Sequence, residues 1–164
     1  MLYFWIMLGS ALGGAARYWF SGVVSNSIGE TFPWGTMLVN ISGSFVIGFF
    51  STLTGPDGRL LVSTTARQFV MIGLCGGYTT FSSFSLQTLI LARDGEWLRA
   101  GANAGLSLVL CFLAVWLGHI LAAHSEDKIN AFLPVLDSMM ASGLVTLEKV
   151  QVLQYGSTSI MQGN

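Results

Sequence analysis

In the stretch Gly76-Gly77-Tyr78-Thr79-Thr80-Phe81-Ser82-Ser83-Phe84-Ser85, two glycines precede a cluster of hydroxyls and two phenylalanines three apart, inside an otherwise apolar run. Glycine costs a helix about 1 kcal/mol, and neighbouring hydroxyls capture released backbone groups, so the spacing predicts a broken helix here. Non-helical backbone at membrane depth survives only inside protein or along a cavity, where its free carbonyls can hold a cation. Phe81 and Phe84, at i and i+3, project from nearly one face. Phenyl rings have positive edges, so two rings presented edge-on suit a dehydrated anion. A plain Phe/Gly packing seam is the competing reading of the FxxF spacing. The glycines, the hydroxyls and their depth in the run count against it.

Other polar residues fall within apolar stretches, where lipid does not solvate them and a functional role is the default reading. Asn40, in GTMLVNISGSF, carries an amide NH2 that donates to an anion while staying neutral. Asn103 and Ser107 are four apart and share a helical face. For all three, helix-to-helix hydrogen bonding is the alternative. Ser42 and Ser44 are expected to bond back to their own helix. Arg17, in GGAARYW, is either a vestibule cation that concentrates anions or an interfacial side chain snorkelling beside Trp19. No carboxylate lies in these stretches, which counts against proton-coupled carriers and cation pores. No Ser-His-Asp set, HExxH or phosphate-cradling loop is present, so an enzyme is not expected. His119 and His124 fall at the end of the last apolar stretch or just beyond and are expected to be solvated.

The elements that must position these residues follow from composition. Charged residues are 9% of the chain and apolar residues 52%, with mean hydropathy +0.65. A typical soluble domain carries about 25% charge, so this is expected to be a membrane protein. The net charge of −1 leaves no basic patch for nucleic acid. Cys75 and Cys111 have no metal-binding spacing and read as buried small hydrophobes. The N-terminus is apolar at once, lacks the positive region of a signal peptide, and reads as a retained span.

Four stretches reach the roughly 20 residues that a spanning helix needs: Leu2–Val24, Trp34–Thr54, Gln68–Ala92 and Ala100–Ala122. Trp19, Trp34, Trp97 and Trp116 lie towards their ends, as an aromatic belt would. Small residues four apart at Gly9/Gly13, Ser44/Gly48, Gly73/Gly77 and Gly101/Gly105 allow close helix approach. Arg59, Arg67 and Lys128 fall on one side of such a bundle, Arg93 and Arg99 on the other. That near-balance points to insertion in both orientations and antiparallel pairing, because the Lys/Arg bias sets orientation.

Residues 1–123 thus read as a four-helix membrane domain, and 124–164 as a polar extension. In the extension Ser125 reads as a helix N-cap followed by Glu126 and Asp127. Pro134 is expected to kink or divide that helix and Gly143 to end it, with a strand-like segment over Leu147–Tyr155. One helix and one strand make an incomplete domain.

The motifs GGAARY, GTMLVNISGSFVIG and GLCGGYTTFSSFS together resemble the Fluc (CrcB) family of fluoride channels, over Leu2 to about Leu121. The resemblance implies an all-α membrane protein of four transmembrane helices, the third broken mid-membrane. It further implies an antiparallel dual-topology homodimer in the inner or plasma membrane, with two fluoride pathways and a structural Na+ at the dimer interface. By motif position it makes Phe81 and Phe84 the pore phenylalanines and Asn40 the pore asparagine, with Thr80 and Ser83 supplying hydroxyls near the track. Gly76 and Thr79 would offer backbone carbonyls to Na+, and Arg17 matches the first-span arginine. Ser107 and Asn103 fall at the fourth-span polar positions. Gln87 stands where the family usually has Glu, so a role that needs a carboxylate is in doubt. The extension is similar to the C-terminal end of a small PII-like soluble domain. The implied activity is passive fluoride export that relieves fluoride toxicity. A four-helix drug or metabolite exporter and a non-conducting membrane partner are the rivals.

Overall fold

The computed structural model describes residues 1–139 except Asp57 and Arg59, with side chains as far as His124. The described residues are helical throughout their regular structure: α1 (Leu2–Ile28), α2 (Trp34–Leu53), α3 (Thr64–Gln68), a π-helical turn (Phe69–Cys75), α4 (Gly76–Tyr78), α5 (Phe81–Arg93) and α6 (Trp97–Met139). The chain divides into two compact units, Met1–Ile129 and Asn130–Asn164. Every side-chain contact below lies in the first unit. Within the second, the helical backbone extends to Met139.

Local chemistry sets the ends. Gly29 stops α1 with φ +98°, and its amide donates to the Ser25 carbonyl at 2.9 Å. Pro33 precedes α2, where its missing N–H costs nothing. Ser63 caps α3 by accepting from the Ala66 amide. Gly95, with φ +83°, turns the chain between α5 and α6.

Three helical stretches among the described residues are long and apolar enough to cross a membrane: Trp34–Leu53, Thr64–Arg93 and Trp97–His124, with mean hydropathies of 1.5, 1.3 and 2.3. Helix α1, at 27 residues, has the length but is less apolar than these. Burial runs opposite to that of a soluble protein. Asn103, Ser107 and Thr80 are buried, whereas Phe112, Trp116 and Leu98 are 74%, 60% and 88% exposed. Such an outer surface suits hydrocarbon as its solvent, with polar groups satisfied within the protein.

Close approach is built on small residues, as their four-residue spacing predicts. A Cβ on Gly9 would lie 2.8 Å from the Phe69 carbonyl oxygen, and one on Gly77 2.8 Å from Ser10 Cα. A Cβ on Gly13 would collide with the Leu74 carbonyl. Gly9 and Gly13 of α1 therefore lie directly against the π turn and α4. Gly48 likewise meets the Val115 backbone, and Gly118 the Phe45 backbone, which brings α2 onto α6. The pair Gly101/Gly105 differs: neither has any group within 4 Å of where a Cβ would stand.

Two expectations are corrected. The third apolar stretch is broken, but not at its glycines. Gly76 and Gly77 stay helical, and the interruption falls at Thr79 and Thr80, whose ψ angles of 157° and 110° are extended. Gly77 is needed for contact with α1, and the break is held by side chains described below. Nor does Ser125 start a new helix: it lies inside α6, which Pro134 does not divide. The apolar span passes directly into the polar segment with no cap between them. Gly143 and the strand-like segment over Leu147–Tyr155 lie outside the described residues.

Candidate functional site

The break at Thr79–Thr80 is stabilised from two sides. Asn40, on α2, donates from Nδ2 to the Thr80 carbonyl at 3.0 Å and accepts the Thr80 amide on Oδ1 at 2.7 Å. The Thr80 amide would otherwise bond the Gly76 carbonyl four residues back, so Asn40 both opens the helix and releases that carbonyl. Thr80 then caps α5, its Oγ1 accepting from the Ser83 amide at 3.1 Å. The Thr80 hydroxyl donates to Ser83 Oγ at 3.0 Å and lies 3.2 Å from Ser82 Oγ. Arg17, from α1, donates to the Thr79 carbonyl at 3.3 Å. Of the backbone groups at the break, the Thr80 amide and carbonyl are held by Asn40, the Thr79 carbonyl by Arg17 and the Ser83 amide by the Thr80 hydroxyl, while the Gly76 carbonyl loses its helical donor.

Beside the break is a cavity of about 280 Å³ between α2, α4, α5 and α6. Asn40 and Ser44 of α2, Phe81 and Phe84 of α5, and Ser107 and Cys111 of α6 line it, with Cys75, Gly76 and Thr79 on the π-turn and α4 side. Its lining side chains are all neutral. The Phe81 and Phe84 ring centroids are 5.4 Å apart with planes inclined at 47°. The same two rings also line a second, wider groove, with Ser85, Thr88 and Ala104. There the hydroxyls are already engaged: Ser85 donates to the Phe81 carbonyl at 2.9 Å and Thr88 to the Phe84 carbonyl at 2.8 Å.

A polar chain links a residue of the groove to one of the cavity. Asn103, only 1% exposed, donates from Nδ2 to Thr88 Oγ1 at 2.7 Å, and Ser107 donates to Asn103 Oδ1 at a long 3.5 Å. At that length the Ser107 hydroxyl is held weakly and can turn to another acceptor in the cavity. Gln87 Oε1 is buried and has no hydrogen-bond partner among the described residues. Such an atom calls for an occupant or a cause.

The sequence-predicted residues therefore separate. Asn40, Phe81, Phe84, Ser107, Gly76 and Thr79 converge on one cavity, whereas Thr80 and Ser83 form the cap of α5 behind it. Asn103 acts through Ser107 and Thr88, Arg17 sits on Thr79, and Gln87 lies outside the cavity lining. Asn40 fulfils its alternative reading, a helix-to-helix hydrogen bond, while its Nδ2 keeps a second N–H. His119 is exposed, as expected, and its Nδ1 also lies 2.9 Å from Thr52 Oγ1, tying the end of α2 to α6.

A neutral cavity lined by phenyl rings and N–H or O–H groups suits a small anion stripped of water. Comparison with known proteins bears on which one. A family model described as CrcB-like protein, Camphor Resistance (CrcB), matches residues 4–119, more than half of the chain. The chain belongs to the CrcB family. It is 66% identical over 122 residues to a protein of Methylocella silvestris named fluoride-specific ion channel FluC, covering 74% of this chain and 93% of that one. Proteins of the same name from Opitutus terrae and Rhodospirillum rubrum are 64% and 59% identical, again over 74% and 73% of this chain and 92% and 93% of theirs. A second model, of a family described only as Uncharacterized ACR, matches residues 119–152, in accord with the PII-like likeness of the extension.

In this CrcB-family chain, sequence reasoning missed Ser44, Cys75, Cys111 and Thr88. The signal was the four-residue spacing that puts helical neighbours on one face. Ser44 follows Asn40 by four, Cys111 follows Ser107 by four, and Thr88 follows Phe84 by four. Ser42 does bond back to its own helix, at 2.7 Å from the Leu38 carbonyl, as expected. Ser44 has no hydrogen-bond partner among the described residues and faces the cavity instead.

Proposed function

We propose that this chain is the subunit of a passive, fluoride-selective channel that lets F− leave the cell down its electrochemical gradient. The observation that carries the reading is the neutral cavity in which Phe81, Phe84, Asn40 and Ser107 meet. Positive ring edges and uncharged donors replace the water of a small anion without trapping it as a full positive charge would. The names of the relatives supply the ion. Fluoride enters acidified cells as HF and dissociates at neutral internal pH, so a passive pore suffices to relieve its toxicity.

In this reading α1 is a fourth span, and the protein is an antiparallel, dual-topology homodimer in the inner or plasma membrane. The balance of Arg59, Arg67 and Lys128 against Arg93 and Arg99 supports it. A structural Na+ belongs to the same reading. The Gly76 carbonyl is released by Asn40, and the Thr79 carbonyl retains a lone pair beyond the one that accepts Arg17. Neutral carbonyl oxygens are the donors a hard monovalent cation takes. One chain offers two, and a symmetry-related copy would double them. Sodium there would fix two subunits together. Arg17, next to that site, supplies the positive potential that draws anions towards the pore.

Replacing Phe81 and Phe84 with Ile tests the path: fluoride flux through liposomes should fall sharply while the protein keeps its assembly state. A four-helix exporter is disfavoured because it would want a carboxylate within the helices, and the cavity lining holds none. A non-conducting membrane partner would give no flux at all.

A further inference from the structure

We infer that Ser44 is a direct anion-binding residue of this pore, donating its hydroxyl hydrogen to the permeating ion opposite Ser107; the inference rests on the channel reading above. On α2, Ser42, Ser51 and Thr52 each give their hydroxyl hydrogen to a carbonyl of their own helix, at 2.7, 3.2 and 2.9 Å. That is the usual fate of a helical hydroxyl in an apolar surrounding. Ser44 lies on the same helix and makes no such bond among the described residues, yet it lines the cavity with Asn40 one turn before it.

Its surroundings explain what the unengaged hydrogen is for. The cavity already contains two other donors without a firm partner: the second N–H of Asn40 and the Ser107 hydroxyl, held at only 3.5 Å by Asn103. The first N–H of Asn40 is fixed on the Thr80 carbonyl, which sets the amide plane and hence the direction of the second. Asn40 and Ser44 come from α2 and Ser107 from α6, so donors enter from two helices, while Phe81 and Phe84 form the wall contributed by α5. An anion in a cavity of low polarity gains from each added neutral donor, and hydrogen bonds to a charged partner are about twice as strong as neutral ones. Ser44 therefore adds to fluoride affinity, and it discriminates against larger anions whose charge is more spread.

The test is a fluoride titration of flux in liposomes with the full-length chain, comparing wild type, Ser44→Ala and Ser44→Gly, each with its assembly state and thermal unfolding measured. Both substitutions remove the hydroxyl and add no volume, so a packing role would survive Ser44→Ala. The expected result is a half-saturating fluoride concentration raised about tenfold in both variants, with lower preference for fluoride over chloride and unchanged assembly. A Ser44→Ala titration that superimposes on wild type overturns the inference and leaves the channel reading intact. A wild-type chain with no flux above protein-free liposomes overturns both.

Discussion

Both polar atoms of the Asn40 side chain are bonded to one residue, Thr80: Nδ2 to its carbonyl at 3.0 Å and Oδ1 to its amide at 2.7 Å. A single amide thus substitutes for the two helical partners that Thr80 gives up, and the interruption in the third apolar stretch depends on a side chain from the second. Replacing Asn40 with Ala leaves an amide and a carbonyl unpaired. We expect a loss of about 1–3 kcal/mol in unfolding free energy for each group left buried. Denaturation in detergent micelles measures it. Asn40→Asp keeps the acceptor for the Thr80 amide but turns a second acceptor on the Thr80 carbonyl, so it should be no better than Ala. A stable Asn40→Asp protein would argue against the two-way bond.

The glycine seam predicts a contrast between positions of similar sequence pattern. An added Cβ at Gly13 collides with the Leu74 carbonyl, and one at Gly77 lies 2.5 Å from the Ser10 carbonyl oxygen. Gly13→Ala and Gly77→Ala should each destabilise, since overpacking costs roughly 1–3 kcal/mol against about 1 kcal/mol returned by alanine's helix propensity. Gly101→Ala and Gly105→Ala meet open space and should not lower the thermal unfolding temperature. Equal losses at all four positions would contradict the seam.

Much of this was legible in residue types and spacing. Apolar runs located α2, the third stretch and α6, and Gly9/Gly13 and Gly73/Gly77 named the seam between α1 and the π turn. The FxxF spacing predicted a shared face for Phe81 and Phe84, and their rings are 5.4 Å apart. The position of the break was not legible, because glycine is read as a helix breaker and here serves close approach. What breaks the helix is a bond from Asn40, forty residues away in sequence. Ser44 was misread for a related reason: spacing shows that it shares a face with Asn40 but not that it forgoes a bond to its own helix. Ser125 read as a helix start because its neighbours are acidic, although the preceding helix simply continues.

Gln87 gives a stability prediction. Its Oε1 is buried with no hydrogen-bond partner among the described residues, and leaving a buried acceptor unpaired costs about 1–3 kcal/mol. Gln87→Met, apolar and of similar length, removes that acceptor and should hold or raise the thermal unfolding temperature in detergent. A clear fall would show that the amide has a partner in the assembled protein.

The charge balance predicts both orientations in one membrane. A reporter at the C-terminus should be accessible from both faces, and adding two or three Lys to the loop between α1 and α2 should drive it to a single side. Detection of the C-terminus on one face alone in the unmodified chain would contradict dual insertion.

Fluoride efflux from liposomes reconstituted with the purified full-length protein, with chloride as the control ion, bears most directly on the central claim. The expected result is rapid fluoride release, with no proton gradient required, and chloride retained. Release of both ions alike, or fluoride retention equal to that of protein-free liposomes, would contradict it.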